Sequence, residues 1–193
     1  MGMQLHERPL AFVDTETTGL SPQKHEIIEV AIVFDDSVMA SGRAWTRHLS
    51  PIAPGVVGWH TRIKPKHIED AEPKALSVNG YTADGWESAP MISDVLDILL
   101  EILGNSQAIL GGHNVNFDKE FIVSTALRCF RTPRLGYHLV DTVTVCYEHL
   151  VPCGLGSLSL DSVRQYMGMP VHRHHAALQD ALDAREVYRR LTK

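Results

Sequence analysis

Apolar residues in the first part of the chain follow the pattern of buried β-strands. Residues 10–13 form a short apolar run, and residues 27–34 form a longer one that ends in two aspartates. Short runs rich in Val, Ile and Phe predict two central strands joined by a turn. A third strand is predicted at residues 44–49, just before Pro51. Together these segments predict that the fold opens with neighbouring strands.

Residues 50–90 show no clear period and contain five prolines. Apart from a helical turn or two around residues 72–78, this stretch is predicted to be an irregular, Pro-rich surface excursion. A long irregular segment inside a compact domain usually has a function, such as lining a site.

After residue 90 the apolar spacing becomes helical. Ile92, Val95 and Leu99 begin a helical face, which Gly104 ends. The later predicted elements are a strand at 108–112, a helix at 118–130, a strand-to-helix step at 139–142, and helices at 158–167 and 176–191. Strands followed by alternating helices and strands predict an α/β fold with a mixed sheet flanked by helices. We expect a single domain over residues 9–193, after an N-terminal tail of residues 1–8.

Composition and charge narrow the possible protein classes. The 193 residues suit one domain with a sizeable core, and 44% hydrophobic with 21% charged residues is typical of globular proteins. The net charge of −5 provides no global basic field, so a nucleic-acid partner would have to be bound locally. Three cysteines are a poor disulfide framework, and no segment approaches the roughly 18 apolar residues of a membrane span. We expect a soluble cytoplasmic protein with no membrane partner.

Two carboxylates, Asp14 and Glu16, end the first apolar run. Side chains two residues apart in a strand point to the same face, so these acids would lie a few ångströms apart. Such neighbours raise one another's pKa or hold a cation between them. The alternative is a strand that runs out into solvent, where both acids are hydrated.

Two further acids are candidates to join the first pair, and the position of Asp118 favours convergence with it. Asp118 follows the predicted strand at 108–112 and starts a helix, and Asp180 lies inside the final helix. Ligands of α/β sheets bind outside the strand ends and at neighbouring helix N-termini. Four hard oxygen donors suit Mg²⁺ or Mn²⁺ rather than zinc. The alternatives are that Asp118 caps its helix and that Asp180 is solvated.

His175 precedes Asp180 by five residues, which predicts a place in the loop or first turn before it. An imidazole with an ordinary pKa of about 6.5 is suited to removing a proton from water. Its alternatives are a solvated loop histidine or part of a nonspecific metal-binding run at residues 172–175.

Three ordered motifs resemble those of a known nuclease family. They are Asp14-x-Glu16-Thr17-Thr18-Gly19, Asn114-x-x-Phe117-Asp118 and His175-x-Ala177-Leu178-x-Asp180-Ala181. This set is similar to the motifs of the DEDDh family, the DnaQ-like 3′–5′ exonucleases with an RNase H-like fold, and the resemblance spans residues 9–191. One departure is Ala176, where the family often has a basic residue whose charge Arg173 would have to supply.

The resemblance implies roles for the motif residues. It assigns the coordination of two Mg²⁺ or Mn²⁺ ions to Asp14, Glu16, Asp118 and Asp180, and the role of general base to His175. It implies substrate contacts from Thr15, Thr17, Leu20, Asn114 and Phe117. Two divalent ions about 3.5–4 Å apart stabilise both the attacking and the leaving oxygen of a phosphodiester. The expected activity is 3′–5′ exonucleolytic release of nucleoside 5′-monophosphates from single-stranded ends.

The sequence leaves several alternatives for the substrate and the partners of this chain. DNA is favoured because residues 14–19 most resemble the proofreading type, but the same motifs serve RNA-trimming enzymes, and no motif reveals contact with a 2′-hydroxyl. A phosphohydrolase of small nucleotides is another hypothesis. A noncatalytic nucleic-acid-binding module is a third, disfavoured because all five motif residues are present. The chain ends two residues after Leu191, which favours a stand-alone enzyme or a homodimer and leaves a polymerase partner open.

Overall fold

Six strands form one mixed sheet in the computed structural model, which describes residues 4–170 and 175–192. They are β1 (Leu10–Thr17), β2 (Ile27–Asp35), β3 (Ser50–Ala53), β4 (Val56–Arg62), β5 (Ile109–Gly112) and β6 (Leu139–Asp141). Their order is β3-β4-β2-β1-β5-β6. The first four strands pair antiparallel, and β5 and β6 run parallel to β1. The predicted α/β fold class with a mixed sheet is confirmed.

Helices cover both faces of this sheet. They are α1 (Pro73–Asn79), α2 (Ala83–Trp86), α3 (Ile92–Ser106), α4 (Val115–Arg128), α5 (Thr142–Leu150), α6 (Leu160–Tyr166) and α7 (Ala177–Leu191). Within the parts of the chain that the structure describes, no helix is both long and apolar enough to cross a membrane.

The alternation of side chains along β1 divides the core into two layers. Ala11 and Val13 pack with α3 and α4 on one face, whereas Phe12 packs against α7 on the other. Each fully buried aliphatic or aromatic side chain contributes about 1.5–3 kcal/mol to burial free energy. Because the period is two, Asp14 and Glu16 continue the face of Phe12 and point toward α7.

The strand predicted at residues 44–49 is wrong, because this segment forms a 3₁₀ helix over Ala44–His48. Its buried residues are Trp45, Thr46 and Leu49, a spacing of one helical turn rather than alternation. The Trp45 ring packs 5.3 Å from the ring of Phe34, measured between centroids. Packing of one large ring onto the sheet therefore decided the local conformation.

The irregular excursion predicted at residues 50–90 is wrong for its first part. Residues 50–62 form the β3–β4 hairpin, in which β4 pairs with residues 29–35 of β2. Pro51 is tolerated because β3 is an edge strand, and Gly55 adopts the left-handed conformation (φ +73°) in the turn. The remainder of the segment contains α1 and α2. The segment therefore first adds strands β3 and β4 to the sheet and then forms two helices.

Candidate active site

The site forms where β1 continues beyond its neighbour. Phe12 pairs with Gly111, and β5 ends one residue later at Gly112, so residues 14–17 of β1 have an open edge on that side. A Cβ atom at Gly112 would lie 2.9 Å from the Val13 carbonyl oxygen and 3.0 Å from the Cβ atom of the first α4 residue. Glycine therefore permits the close approach of backbone and helix that brings α4 to this edge.

Asp118 occupies the open edge with its side chain. Its Oδ1 atom accepts hydrogen bonds from the Thr15 backbone N–H (2.8 Å) and from the Thr15 hydroxyl (2.7 Å). Asp118 was predicted to begin a helix; α4 begins three residues earlier, at Val115, and Asp118 lies in its first turn. The carboxylate takes the place of a strand partner and is buried next to β1.

Glu16, His175 and Asp180 converge on the α7 face of β1. One side-chain ligand atom from each of the three lies within 4.8 Å of the others. Asp180 was predicted inside the last helix and lies there, in the first turn of α7, which begins at Ala177. His175 precedes the helix, as its sequence spacing predicts, and its Nδ1 atom is 3.0 Å from Asp180 Oδ2.

Burial makes the carboxylates of this site reluctant to ionise together. It raises the pKa of Glu16 to about 8, with a further rise from the Asp180 charge. It also raises the pKa of Asp118 to about 7, although the Thr15 hydrogen bonds act in the opposite direction. Burial, followed by the charges of Asp118 and Asp180, raises the pKa of Asp14 well above its usual range. A bound cation would stabilise the ionised form of these carboxylates and offset their mutual repulsion.

Asp180 differs from the other three carboxylates because its pKa is lowered by two partners, His175 and Arg164. Burial acts to raise its pKa, but hydrogen bonds from His175 and Arg164 outweigh burial and hold the pKa below its usual range. The same hydrogen bond to Asp180 raises the pKa of His175. Asp180 is therefore the carboxylate of the site that is kept ionised by its neighbours.

Arg164 was not predicted from the sequence. Its guanidinium is buried between α6 and α7 and donates hydrogen bonds to three aspartates, including Asp180. The available signal was its position four residues after Leu160, which places it on the same, buried side of α6. An arginine at an apolar helical position requires acidic partners, and Asp180 with Asp183 provides them at an i, i+3 spacing on α7.

A cavity of about 300 Å³ opens over these groups. Leu20 is 73% exposed at its margin, and Phe117 and Val78 supply further apolar surface. Thr15 and Thr17 also contribute to the lining. The predicted role of the 50–90 segment in lining a site is thus met by α1.

Helix α1 also supports the site mechanically. The Asn79 side-chain amide donates a hydrogen bond to the Thr17 carbonyl (3.1 Å) on β1. The Val78 carbonyl accepts a hydrogen bond from the His175 backbone N–H (3.2 Å). One short helix therefore contacts both sides of the candidate site.

The structure places Asn114 outside the cavity lining and does not describe Arg173. Asn114 is exposed, outside the cavity lining, and adopts a left-handed conformation (φ +67°) while its backbone N–H donates to Asp141. The structure therefore gives Asn114 a role in the turn into α4. The basic charge predicted for Arg173, together with the histidine run at residues 172–174, lies outside the described residues.

Comparisons with known proteins show the family of this chain. The family model described as Exonuclease (RNase_T) matches residues 11–188. The DNA polymerase III PolC-type protein of Thermotoga petrophila is 32% identical over 186 residues, covering 94% of this chain and 12% of that protein. The DNA polymerase III subunit epsilon of Treponema pallidum is 26% identical over 177 residues, covering 91% of this chain and 72% of that subunit. The chain thus spans about one eighth of the PolC-type relative.

A solved structure shows the same fold. Exonuclease I of E. coli, in complex with a dT13 oligonucleotide, superposes with a TM-score of 0.73 at 19% identity. The likeness covers 96% of this chain and 40% of that one. The predicted RNase H-like arrangement of sheet and helices is confirmed by this likeness.

Proposed function

Because the chain belongs to the exonuclease family whose model it matches, we propose that it is a metal-dependent 3′–5′ exonuclease acting on single-stranded DNA ends. The observation that carries the proposal is the convergence of Glu16, His175 and Asp180 within 4.8 Å, beside the half-buried Asp14 and the buried Asp118. The products are nucleoside 5′-monophosphates.

The carboxylates fit divalent metal ions. The pKa values of Asp14, Glu16 and Asp118 are raised chiefly by removal from water, and those of Asp14 and Glu16 also by neighbouring carboxylates; a cation relieves that cost. Hard carboxylate oxygens without a thiolate favour Mg²⁺ or Mn²⁺. We assign two ions to these three acids and Asp180. When bound, such ions supply an activated water and stabilise the charge on the phosphodiester oxygens.

His175 is the proposed general base. Its side chain is partly exposed at the cavity, and Asp180 accepts a hydrogen bond from its Nδ1 atom. An adjacent carboxylate orients the imidazole and stabilises the imidazolium that forms when the ring takes a proton. The opposite ring nitrogen, Nε2, is the atom that we expect to take the proton from water.

The cavity suits the end of a single strand. Leu20 presents an exposed apolar side chain at the margin, opposite apolar surface from α1 and α4. A terminal base must leave its stack to make such contacts, which is easiest in single-stranded nucleic acid. We favour DNA because two relatives are DNA polymerase III chains and Exonuclease I was seen with a dT13 oligonucleotide. The same relatives support a polymerase as a possible partner of this chain.

Digestion of 5′-labelled single-stranded oligonucleotides tests the proposal. DNA and RNA of the same sequence are incubated with Mg²⁺ or Mn²⁺, and the products are resolved by length and by chromatography. We expect a descending ladder on DNA with release of 5′-monophosphates, lost in Asp14→Ala and His175→Ala. Glu148→Gln, a change at an exposed acid on α5, is the matched control and should retain the ladder.

The outcomes separate the hypotheses. A ladder on RNA with none on DNA would contradict the proposed substrate but keep the chemistry. No ladder on either polymer, with hydrolysis of single nucleotides instead, would identify a phosphohydrolase. A ladder that survives in Asp14→Ala would contradict the assigned site.

A further inference from the structure

Arg164 joins α6 to the first turns of α7 through three carboxylates. Its Nε atom donates to Asp183 Oδ2 at 2.6 Å, and an Nη1 hydrogen bond reaches Asp161 Oδ1 at 2.8 Å. Its Nη2 atom donates to Asp180 Oδ1. The side chain is only 1% exposed. A planar guanidinium with this many charge-assisted hydrogen bonds has a fixed orientation.

The two oxygens of Asp180 therefore have different partners. Oδ1 accepts from Arg164, whereas Oδ2 lies 3.0 Å from His175 Nδ1. The Asp161 carboxylate approaches the same histidine, with 3.7 Å between Asp161 Oδ2 and His175 Nε2. Arg164 thus fixes the rotation of the Asp180 carboxylate from the side remote from His175.

We propose that Arg164 is a positioning residue for metal binding, which holds Oδ1 of Asp180 so that Oδ2, while accepting from His175 with one lone pair, keeps the other lone pair for the ion. The inference rests on the proposed function, because it requires Asp180 to be a metal ligand. Groups that hydrogen-bond a metal ligand typically change metal affinity or activity by about 10–100-fold when they are replaced.

Two rival roles for Arg164 make different predictions. If the guanidinium only neutralises buried acids, its removal deletes a positive charge near the ion and strengthens metal binding. If it only connects α6 to α7, its removal lowers stability and leaves metal affinity unchanged. A positioning role alone predicts weaker metal binding, including in a variant that keeps the charge.

Mn²⁺ binding to the purified chain, measured by the electron paramagnetic resonance of free Mn²⁺, separates these roles without relying on activity. The variants are Arg164→Met, which removes the charge, and Arg164→Lys, which keeps the charge but cannot bridge three carboxylates in one plane. Arg185→Met is the matched control. Arg185 lies on α7 and is buried like Arg164, but its guanidinium pairs with Asp35 and not with an acid of the site.

We expect Mn²⁺ dissociation constants about 10–100-fold higher in both Arg164 variants and unchanged in Arg185→Met, although all three melt at lower temperature. The Mn²⁺ concentration for half-maximal digestion of DNA should rise in parallel. Wild-type affinity in Arg164→Lys, or tighter binding in Arg164→Met, overturns the positioning role.

Two further results need to be distinguished: an Arg164→Met variant that does not fold, and a wild-type chain that does not bind Mn²⁺. If Arg164→Met does not fold, Asp183→Asn replaces one charge-assisted hydrogen bond of the guanidinium by a weaker neutral one without touching Asp180. Weaker Mn²⁺ binding in both Asp183→Asn and Arg164→Lys then supports the role, and wild-type affinity in both overturns it. A wild-type chain that neither binds Mn²⁺ nor digests DNA overturns the proposed function itself, whereas failure of the inference leaves wild-type digestion intact.

Discussion

Raising the pH in the absence of metal should destabilise this protein. In EDTA, we expect the free energy of unfolding to fall between about pH 5 and pH 8. Glu16 and Asp118 have pKa values of about 8 and about 7 in the folded chain, against ordinary values of 4.5 and 3.8. In this window the folded state binds more protons than the unfolded state. The stabilisation is therefore complete below the unfolded pKa values and is lost as the pH rises through the folded ones.

The size of the effect follows from the shift at Glu16. One pKa unit corresponds to about 1.4 kcal/mol, so the change from 4.5 to about 8 corresponds to roughly 5 kcal/mol if this group titrated alone. Asp118 does not add its full amount, because the two acids influence one another. Burial lowers the pKa of His113 and so opposes part of the trend below about pH 6.5. About three pKa units of the Glu16 shift lie between pH 5 and pH 8, so we expect a net loss of about 4 kcal/mol, or about 8–16 °C in melting temperature for a domain of this size.

Thermal melts at three pH values, with EDTA and with Mn²⁺, provide the assay. Mn²⁺ should raise the melting temperature most at the highest pH, because protons compete with the ion for the same carboxylates. Glu16→Gln should flatten the pH dependence in EDTA, whereas the exposed Glu148→Gln should follow the wild type. A wild-type melting temperature that stays level across this range in EDTA would refute the electrostatic reasoning.

Three substitutions test other parts of the site. Thr15→Val removes the hydroxyl hydrogen bond to Asp118 and should lower the free energy of unfolding by about 1–3 kcal/mol in a denaturant titration; an unchanged value would contradict the importance of that bond. Gly112→Ala forces a Cβ atom to 2.9 Å from the Val13 carbonyl oxygen and should cost about 1–3 kcal/mol, also by denaturation; wild-type stability would show that the strands separate freely there. Leu20→Ala should lower kcat/KM for single-stranded DNA about tenfold, equivalent to about 1.4 kcal/mol of lost contact, at an unchanged melting temperature because the side chain is exposed; unaltered kinetics would exclude Leu20 from substrate contact.

The parts of the site that depend on local geometry could be predicted from the sequence. The two-residue spacing of Asp14 and Glu16 in a strand is sufficient to place them on one face, and the structure continues β1 through both. The spacing of His175 before α7 likewise predicted a loop position. What the spacing could not supply was which helix covers that face, and the approach of Asp180 followed only from the resemblance of the motifs.

The errors came from tertiary interactions. Residues 44–49 coil into a 3₁₀ turn because Trp45 packs onto Phe34, an interaction between segments that local patterns do not encode. The prolines of residues 50–54 led to the prediction of an irregular segment where the structure has the β3–β4 hairpin. An edge strand such as β3 tolerates proline, and the sequence alone does not reveal which strand lies at the edge. Arg164 was missed for the same reason, because its acidic partners lie mainly on another helix.

The hydrogen bonds of α1 have a consequence for engineering and for divergence. This helix is joined to β1 through Asn79 and to the loop before α7 through Val78, and both residues line the cavity together with Lys74 and Ala75. A replacement helix that reshapes the cavity for a different substrate must therefore also present a carbonyl at the position of Val78. Grafts that preserve this single backbone acceptor should exchange substrate range while retaining turnover, and grafts that shift it should lose both together.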